Sequence, residues 1–129
     1  MSDNYKILLV EDDLFLRELY AKLLSDEGFK VDLAVNGLEA ERLMKQGGYD
    51  LVLLDLMLPG KSGVEILRSM NEQEKAACGK IVALSNLAQD GVVDQVFKLG
   101  AAGFLIKSDY TPDEMMAKVY DFLSSEPLE

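Results

Sequence analysis

Histidine is absent from the 129 residues. That removes imidazole bases, serine-type triads and most zinc sites. Cysteine occurs once, as Cys78. No disulfide can form within the chain, and this usage fits a reduced, cytoplasmic protein. Cys78 sits in the polar stretch Asn71-Glu72-Gln73-Glu74-Lys75-Ala76-Ala77-Cys78-Gly79-Lys80 and reads as a small loop residue. Positive charge is scarce: 13 lysines and arginines face 23 aspartates and glutamates, for a net charge of −10. Nucleic-acid binding needs a basic surface for phosphate contacts, so it is not expected. The balance favours cationic partners and metal ions, and also keeps a protein soluble. A basic leader and a long apolar run are both missing before the first strand-like segment. Neither a signal peptide nor membrane insertion is expected.

What is present is an alternation of strand-like and helix-like segments. The length suggests a single domain over residues 1–129, with a core at about 5–124 and a tail at 125–129. Residues 6–10, 51–54, 81–84 and about 103–106 are short apolar strands. Val31, Leu33 and Val35 alternate with Lys30, Asp32 and Ala34, which suits a strand at a sheet edge. Helical spacing appears in Leu16, Leu19, Tyr20, Leu23 and Leu24, and again in Ala40, Leu43 and Met44. It recurs in Ile66, Leu67 and Met70, in Val92, Val93, Val96 and Phe97, and in Met115, Met116, Val119, Phe122 and Leu123. Thr111-Pro112-Asp113-Glu114 reads as an N-cap, a proline at the first helical position and acids in the first turn. Five β–α repeats fit one doubly wound parallel sheet.

Four of the strands run directly into polar residues. Ile7-Leu8-Leu9-Val10 leads to Glu11-Asp12-Asp13, Leu51-Val52-Leu53-Leu54 to Asp55, Ile81-Val82-Ala83-Leu84 to Ser85, and Phe104-Leu105-Ile106 to Lys107. In a parallel sheet these ends share one edge, where ligands of open α/β sheets bind. Glu11, Asp12 and Asp55 would repel one another there, by about 4 kcal/mol per pair at about 4 Å and an effective dielectric of about 20. A cation resolves this, and hard oxygen ligands favour Mg2+. Helix capping by Asp12 or Asp13 is the plainer alternative for those two residues. It leaves Asp55, which ends the most apolar strand, without explanation. Asp55 is the nucleophile candidate, since a carboxylate can take a phosphoryl group as an acyl phosphate. Lys107 would add a positive charge and Ser85 a hydroxyl donor.

These segments resemble the receiver domain of two-component response regulators. The resemblance rests on Ile7 to Asp13, on Leu53-Leu54-Asp55-Leu56-Met57-Leu58-Pro59-Gly60-Lys61-Ser62-Gly63, on Ala83-Leu84-Ser85, and on Gly100-Ala101-Ala102-Gly103-Phe104-Leu105-Ile106-Lys107. It implies an α/β, flavodoxin-like fold: a doubly wound five-stranded parallel sheet of order 2-1-3-4-5 with five helices. It implies that Asp55 accepts a phosphoryl group from a sensor histidine kinase or phosphotransfer protein. Asp12, Glu11, Asp55 and the backbone carbonyl of Met57 would hold Mg2+. Ser85 and Lys107 would each meet a phosphoryl oxygen, and Ser85 with the aromatic Phe104 would form the switch. The downstream protein is not identified; a monomer or a weak phosphorylation-dependent dimer is expected. The chain reads as a stand-alone or excised receiver.

Several residues depart from the family's habits. Ser108 follows Lys107 where proline is frequent, often after a cis bond that costs about 2.5–4 kcal/mol without proline. Asn86 follows Ser85 where alanine is common. Met57, two residues past Asp55, cannot orient an attacking water, so self-dephosphorylation should be slow. Competing readings are a receiver fold that is not phosphorylated in use, an aspartate-nucleophile phosphatase and a flavodoxin-like cofactor binder. Met57 stands where the phosphatase needs an acid, and Glu11-Asp12-Asp13 would repel the cofactor's phosphate.

Overall fold

The computed structural model describes residues 5–86 and 90–124. Its elements follow the apolar pattern closely. Strand β1 (Lys6–Val10) is followed by α1 (Leu14–Asp26), β2 (Lys30–Ala34), α2 (Gly37–Gln46), β3 (Leu51–Asp55) and α3 (Gly63–Ser69). Then come α4 (Glu72–Ala77), β4 (Lys80–Ser85), α5 (Asp90–Lys98), β5 (Gly103–Ile106), a 3-10 turn (Lys107–Asp109) and α6 (Pro112–Ser124). The sheet order is β2-β1-β3-β4-β5 and every pairing is parallel. The expected doubly wound, flavodoxin-like architecture is present.

Successive strand side chains point to opposite faces, and the core divides accordingly. Leu8, Val10, Val52, Leu54, Ile81 and Ala83 face one layer, which Ala40 and Met44 of α2, Ile66 and Leu67 of α3 and Val96 of α5 complete. Ile7, Leu9, Leu51, Leu53, Val82 and Leu84 face the other, packed by Tyr20 and Leu24 of α1 and Met115, Met116 and Val119 of α6. The strands covered on both faces are the continuously apolar ones. β2 is at the edge, as its alternation implied. Its larger apolar residues are not the best covered, however: Leu33, and Val35 just past the strand, are exposed while Ala34 is fully buried against α2. From the centre of the sheet the chain winds left from β1 to β2 and right through β3. The reversal falls between β1 and β3, and the crevice above their carboxyl ends is where ligands bind.

The helix count corrects the sequence reading: there are six α-helices among the described residues, not five. Helix α3 stops at Ser69, Met70 is extended, and Asn71 caps a further helix. That helix buries none of its residues, so no apolar stripe announced it. Its signal was instead the pair Asn71 and Glu74, whose side chains reciprocally accept each other's backbone N–H at 2.8 and 3.0 Å. Cys78, expected as a loop residue, closes α4 and is fully buried in the core. Its Sγ donates to the Lys75 carbonyl at 3.3 Å, and burial pushes the thiol up to about 11. The cap at Thr111 is as the sequence indicated, with Thr111 and Glu114 exchanging bonds of 2.8 and 3.1 Å.

Candidate metal and phosphoryl site

Parallel register brings the strand ends together. Val10 pairs with Leu54, Asp55 with Leu84, and Ser85 with Ile106. Glu11, Asp55, Ser85 and Lys107 therefore meet on one edge of the sheet. Among the described residues these four are the buried carboxylates, ammonium and aliphatic hydroxyl, exposed by 0%, 3%, 9% and 8%. Buried charges persist only when paired and hydrogen-bonded, and here the pairing is explicit. Lys107 Nζ donates to Glu11 Oε1 at 2.6 Å and to Asp55 Oδ2 at 2.8 Å. The remaining oxygens accept from backbone: Glu11 Oε2 from Asp13 N–H at 3.1 Å, and Asp55 Oδ1 from Met57 N–H at 3.0 Å.

The acids divide their labour. Asp13 caps α1, its Oδ1 accepting from Leu16 N–H at 2.9 Å. Asp12 is not the cap; it is exposed, beside the two buried acids. Ligand oxygens of Glu11, Asp12 and Asp55 all lie within 4.8 Å of one another. Three carboxylates face one ammonium, so the cluster keeps an excess of negative charge. Burial raises the Glu11 carboxyl above its ordinary range, against the pull of Lys107. Burial pulls the Lys107 ammonium down, but its bonds to Asp55 and Glu11 outweigh this and raise it. All-oxygen donors, a residual negative charge and one solvent-facing carboxylate are what a divalent hard cation such as Mg2+ requires. The residues present fit that ion.

Ser85 adjoins a cavity of about 410 Å3 that Leu56, Met57, Ser62, Val64, Asn86 and Val92 also line. Asn86 itself is exposed. Met57 is 71% exposed, an apolar side chain standing in solvent next to the site. Phe104 of β5 is part-buried against the layer that holds Ala83 and Val96.

A family model, the response regulator receiver domain, matches residues 7–120. The chain belongs to this family. It is 31% identical over 127 residues to a probable transcriptional regulator, ycf29, of Porphyra purpurea, covering 97% of this chain and 59% of that protein. It is 39% identical over 113 residues to YcbL, an uncharacterized transcriptional regulatory protein of Bacillus subtilis (strain 168), covering 87% and 48%. The chain spans about half the length of the curated relatives it matches. Among solved structures, the BeF3-activated N-terminal receiver domain of Klebsiella pneumoniae RstA aligns at a TM-score of 0.76 and 32% identity, covering 93% and 99%. Chemotaxis protein CheY4 of Vibrio cholerae aligns at 0.81 and 23% identity, covering 92% and 98%, a likeness of fold. A receiver is a signalling switch; the family binds Mg2+ at an acidic site and works with histidine kinases or phosphotransfer proteins. No helix among the described residues is long and apolar enough to cross a membrane.

Within this receiver the described peptide bonds are all trans, including Lys107–Ser108. Two contributors had no signal in the sequence. Arg17, one turn into α1, donates through Nη1 to the backbone carbonyls of Glu11 and Asp12 at 3.0 and 3.2 Å. It thereby pins the acidic turn from outside. The second is Glu41, which reaches from α2 to the segment after β3.

Proposed function

We propose that residues of about 5–124 form one receiver that takes a phosphoryl group on Asp55 from the phosphohistidine of a sensor histidine kinase or phosphotransfer protein. The observation that carries this reading is a single carboxylate. Asp55 ends the central strand, is buried, and has one oxygen on the Met57 N–H and the other on Lys107, beside Glu11 and Asp12. An Asp55 oxygen bonds to phosphorus as the phosphorus–nitrogen bond breaks, and the departing imidazole takes a proton. Such transfer is mostly positioning and charge neutralisation. Mg2+ held by Glu11, Asp12, Asp55 and the Met57 carbonyl would neutralise charge on the phosphoryl oxygens.

The chain's own groups do the rest. Lys107 already spans Glu11 and Asp55 and offers its ammonium to a phosphoryl oxygen. Ser85 gives its hydroxyl to another. The new group brings about −1.5 to −2 charges, by analogy with phosphoserine. Ser85 follows that charge, Phe104 turns inward, and the face of α5, β5 and α6 changes its fit to a downstream protein. Because Met57 carries no polar atom that orients water, the acyl phosphate is long-lived. Exchange of Met57 for Asn should hasten phosphate loss; an unchanged or slower loss would count against this role. The setting is cytoplasmic and the protein a monomer or weak phosphorylation-dependent dimer.

The test is incubation of the full chain with acetyl phosphate and Mg2+, followed by intact-mass measurement. Wild type should gain one acid-stable, base-labile phosphoryl group, none should be gained when a chelator replaces Mg2+, and Asp55→Asn should gain none. Equal labelling of Asp55→Asn would overturn the assignment.

A further inference from the structure

Between Leu56 and Ser62 the chain leaves the sheet and runs over the surface, with Met57, Pro59 and Gly60 exposed. A segment with few buried side chains opens at low cost unless it is tied down. Yet this one must hold the Met57 N–H against Asp55 Oδ1. Backbone contacts close its two ends on each other and hold its middle at Pro59 to the start of α2. Gly63 N–H donates to the Leu56 carbonyl at 3.1 Å, and Gly37 N–H donates to the Pro59 carbonyl at 3.2 Å.

Past Pro59 the hold comes from side chains. Lys61 Nζ meets Glu41 Oε2 of α2 at 2.7 Å, the segment's one ion pair among the described residues. Glu41 is itself braced: the same oxygen accepts from Ser69 Oγ of α3 at 2.6 Å and lies 3.2 Å from Lys45 of its own helix. One carboxylate thus ties the segment to both α2 and α3. Its side chain is only 15% exposed, so the bonds are partly shielded from water.

We propose that Glu41 and Lys61 are a positioning pair that holds the segment after Asp55, and with it the Met57 backbone, in place against the Asp55 carboxylate. Neither residue touches the reacting atoms. For phosphotransfer the inference rests on the function proposed above. Its geometric part does not.

Lys45 supplies the control, because it also pairs with Glu41 but lies within α2 and cannot tether the segment. Amide hydrogen exchange over residues 57–63 is measured on metal-free Lys61→Met, Lys45→Met and wild-type protein, and Mg2+ affinity by titration calorimetry on the same three. Lys61→Met should exchange about threefold faster there and bind Mg2+ more weakly by a similar factor, the scale of one lost, partly exposed ion pair. Lys45→Met should match wild type in both, and Lys61→Arg should restore both. Equal shifts in Lys45→Met and Lys61→Met, or unchanged exchange in Lys61→Met, overturn the proposal. If wild type binds no Mg2+ and takes no phosphoryl group, the receiver chemistry fails instead, and the exchange data still decide the positioning role.

Discussion

Around Asp55 one ammonium serves two buried carboxylates, with Lys107 at 2.6 Å from Glu11 and 2.8 Å from Asp55. Around Glu41 the ratio is inverted: two ammoniums and a hydroxyl serve one carboxylate, with Lys61 at 2.7 Å, Lys45 at 3.2 Å and Ser69 at 2.6 Å. The contact distances are nearly the same. What differs is burial and the count of charges. The Asp55 centre keeps unneutralised negative charge away from water, and burial raises the Glu11 carboxyl. In the Glu41 centre the Lys61 and Ser69 bonds take the carboxyl down to about 2. A short salt bridge therefore says little about role. A buried deficit of positive charge marks a place for a cation, and a part-buried carboxylate with its partners in surplus marks a fastening.

The sharpest way to break this comparison is to delete one lysine from each centre. Lys107→Met leaves two buried carboxylates without their cation, and loss of one partner of a buried pair costs about 3–5 kcal/mol. Lys61→Met removes a partly exposed partner, for which about 0–1 kcal/mol is expected. Urea denaturation at neutral pH with a chelator present measures both. Excess Mg2+ should recover more stability in Lys107→Met than in wild type, because the ion then replaces the missing charge. Equal losses in the two variants would show that burial does not separate the centres.

A second prediction concerns the ground on which the fastening rests. A methyl group at Gly37 would lie 1.8 Å from the Lys61 carbonyl oxygen and 2.6 Å from its carbon. These are backbone atoms and cannot swing aside. Gly37→Ala should therefore cost about 1–3 kcal/mol, the usual range for overpacking, although alanine is the better helix former. A neutral or stabilising result in urea denaturation would mean that the segment after β3 yields easily, and that Glu41 holds something already loose.

Much of the Asp55 centre was legible in the chain. Parallel strands put consecutive strand ends on one edge, so Val10-Glu11, Leu54-Asp55, Leu84-Ser85 and Ile106-Lys107 advertise their convergence without any contact being known. The partner of Lys107 was not legible. Spacing placed Lys107 at the site edge but could not say that its ammonium spans Glu11 and Asp55, because rotamer and reach decide that. The Glu41 centre was silent for a related reason. Glu41, Lys61 and Ser69 sit on α2, the loop after β3 and α3, and nothing periodic links them. Helix α4 was lost because Glu72-Gln73-Glu74-Lys75 has no apolar face, and Cys78 was misjudged because its polar neighbours concealed a buried end.

The smallest expected effect probes the charge of the fastening apart from its shape. Glu41→Gln keeps an acceptor for Ser69 but removes the charge, and should cost about 1 kcal/mol or less at neutral pH, since the site is partly screened. The pH dependence fixes the sign. The Glu41 carboxyl titrates at about 2 when folded, against an ordinary value of 4.5. As pH falls, the unfolded chain takes up the proton first. The stabilisation is therefore complete above pH 4.5 and is lost between about 4.5 and 2. Wild type and Glu41→Gln should differ in urea midpoint at neutral pH and converge at the bottom of that window. A gap that stays constant across it would mean that shape holds Lys61 in place, and that the inverted charge ratio of this centre has no energetic consequence.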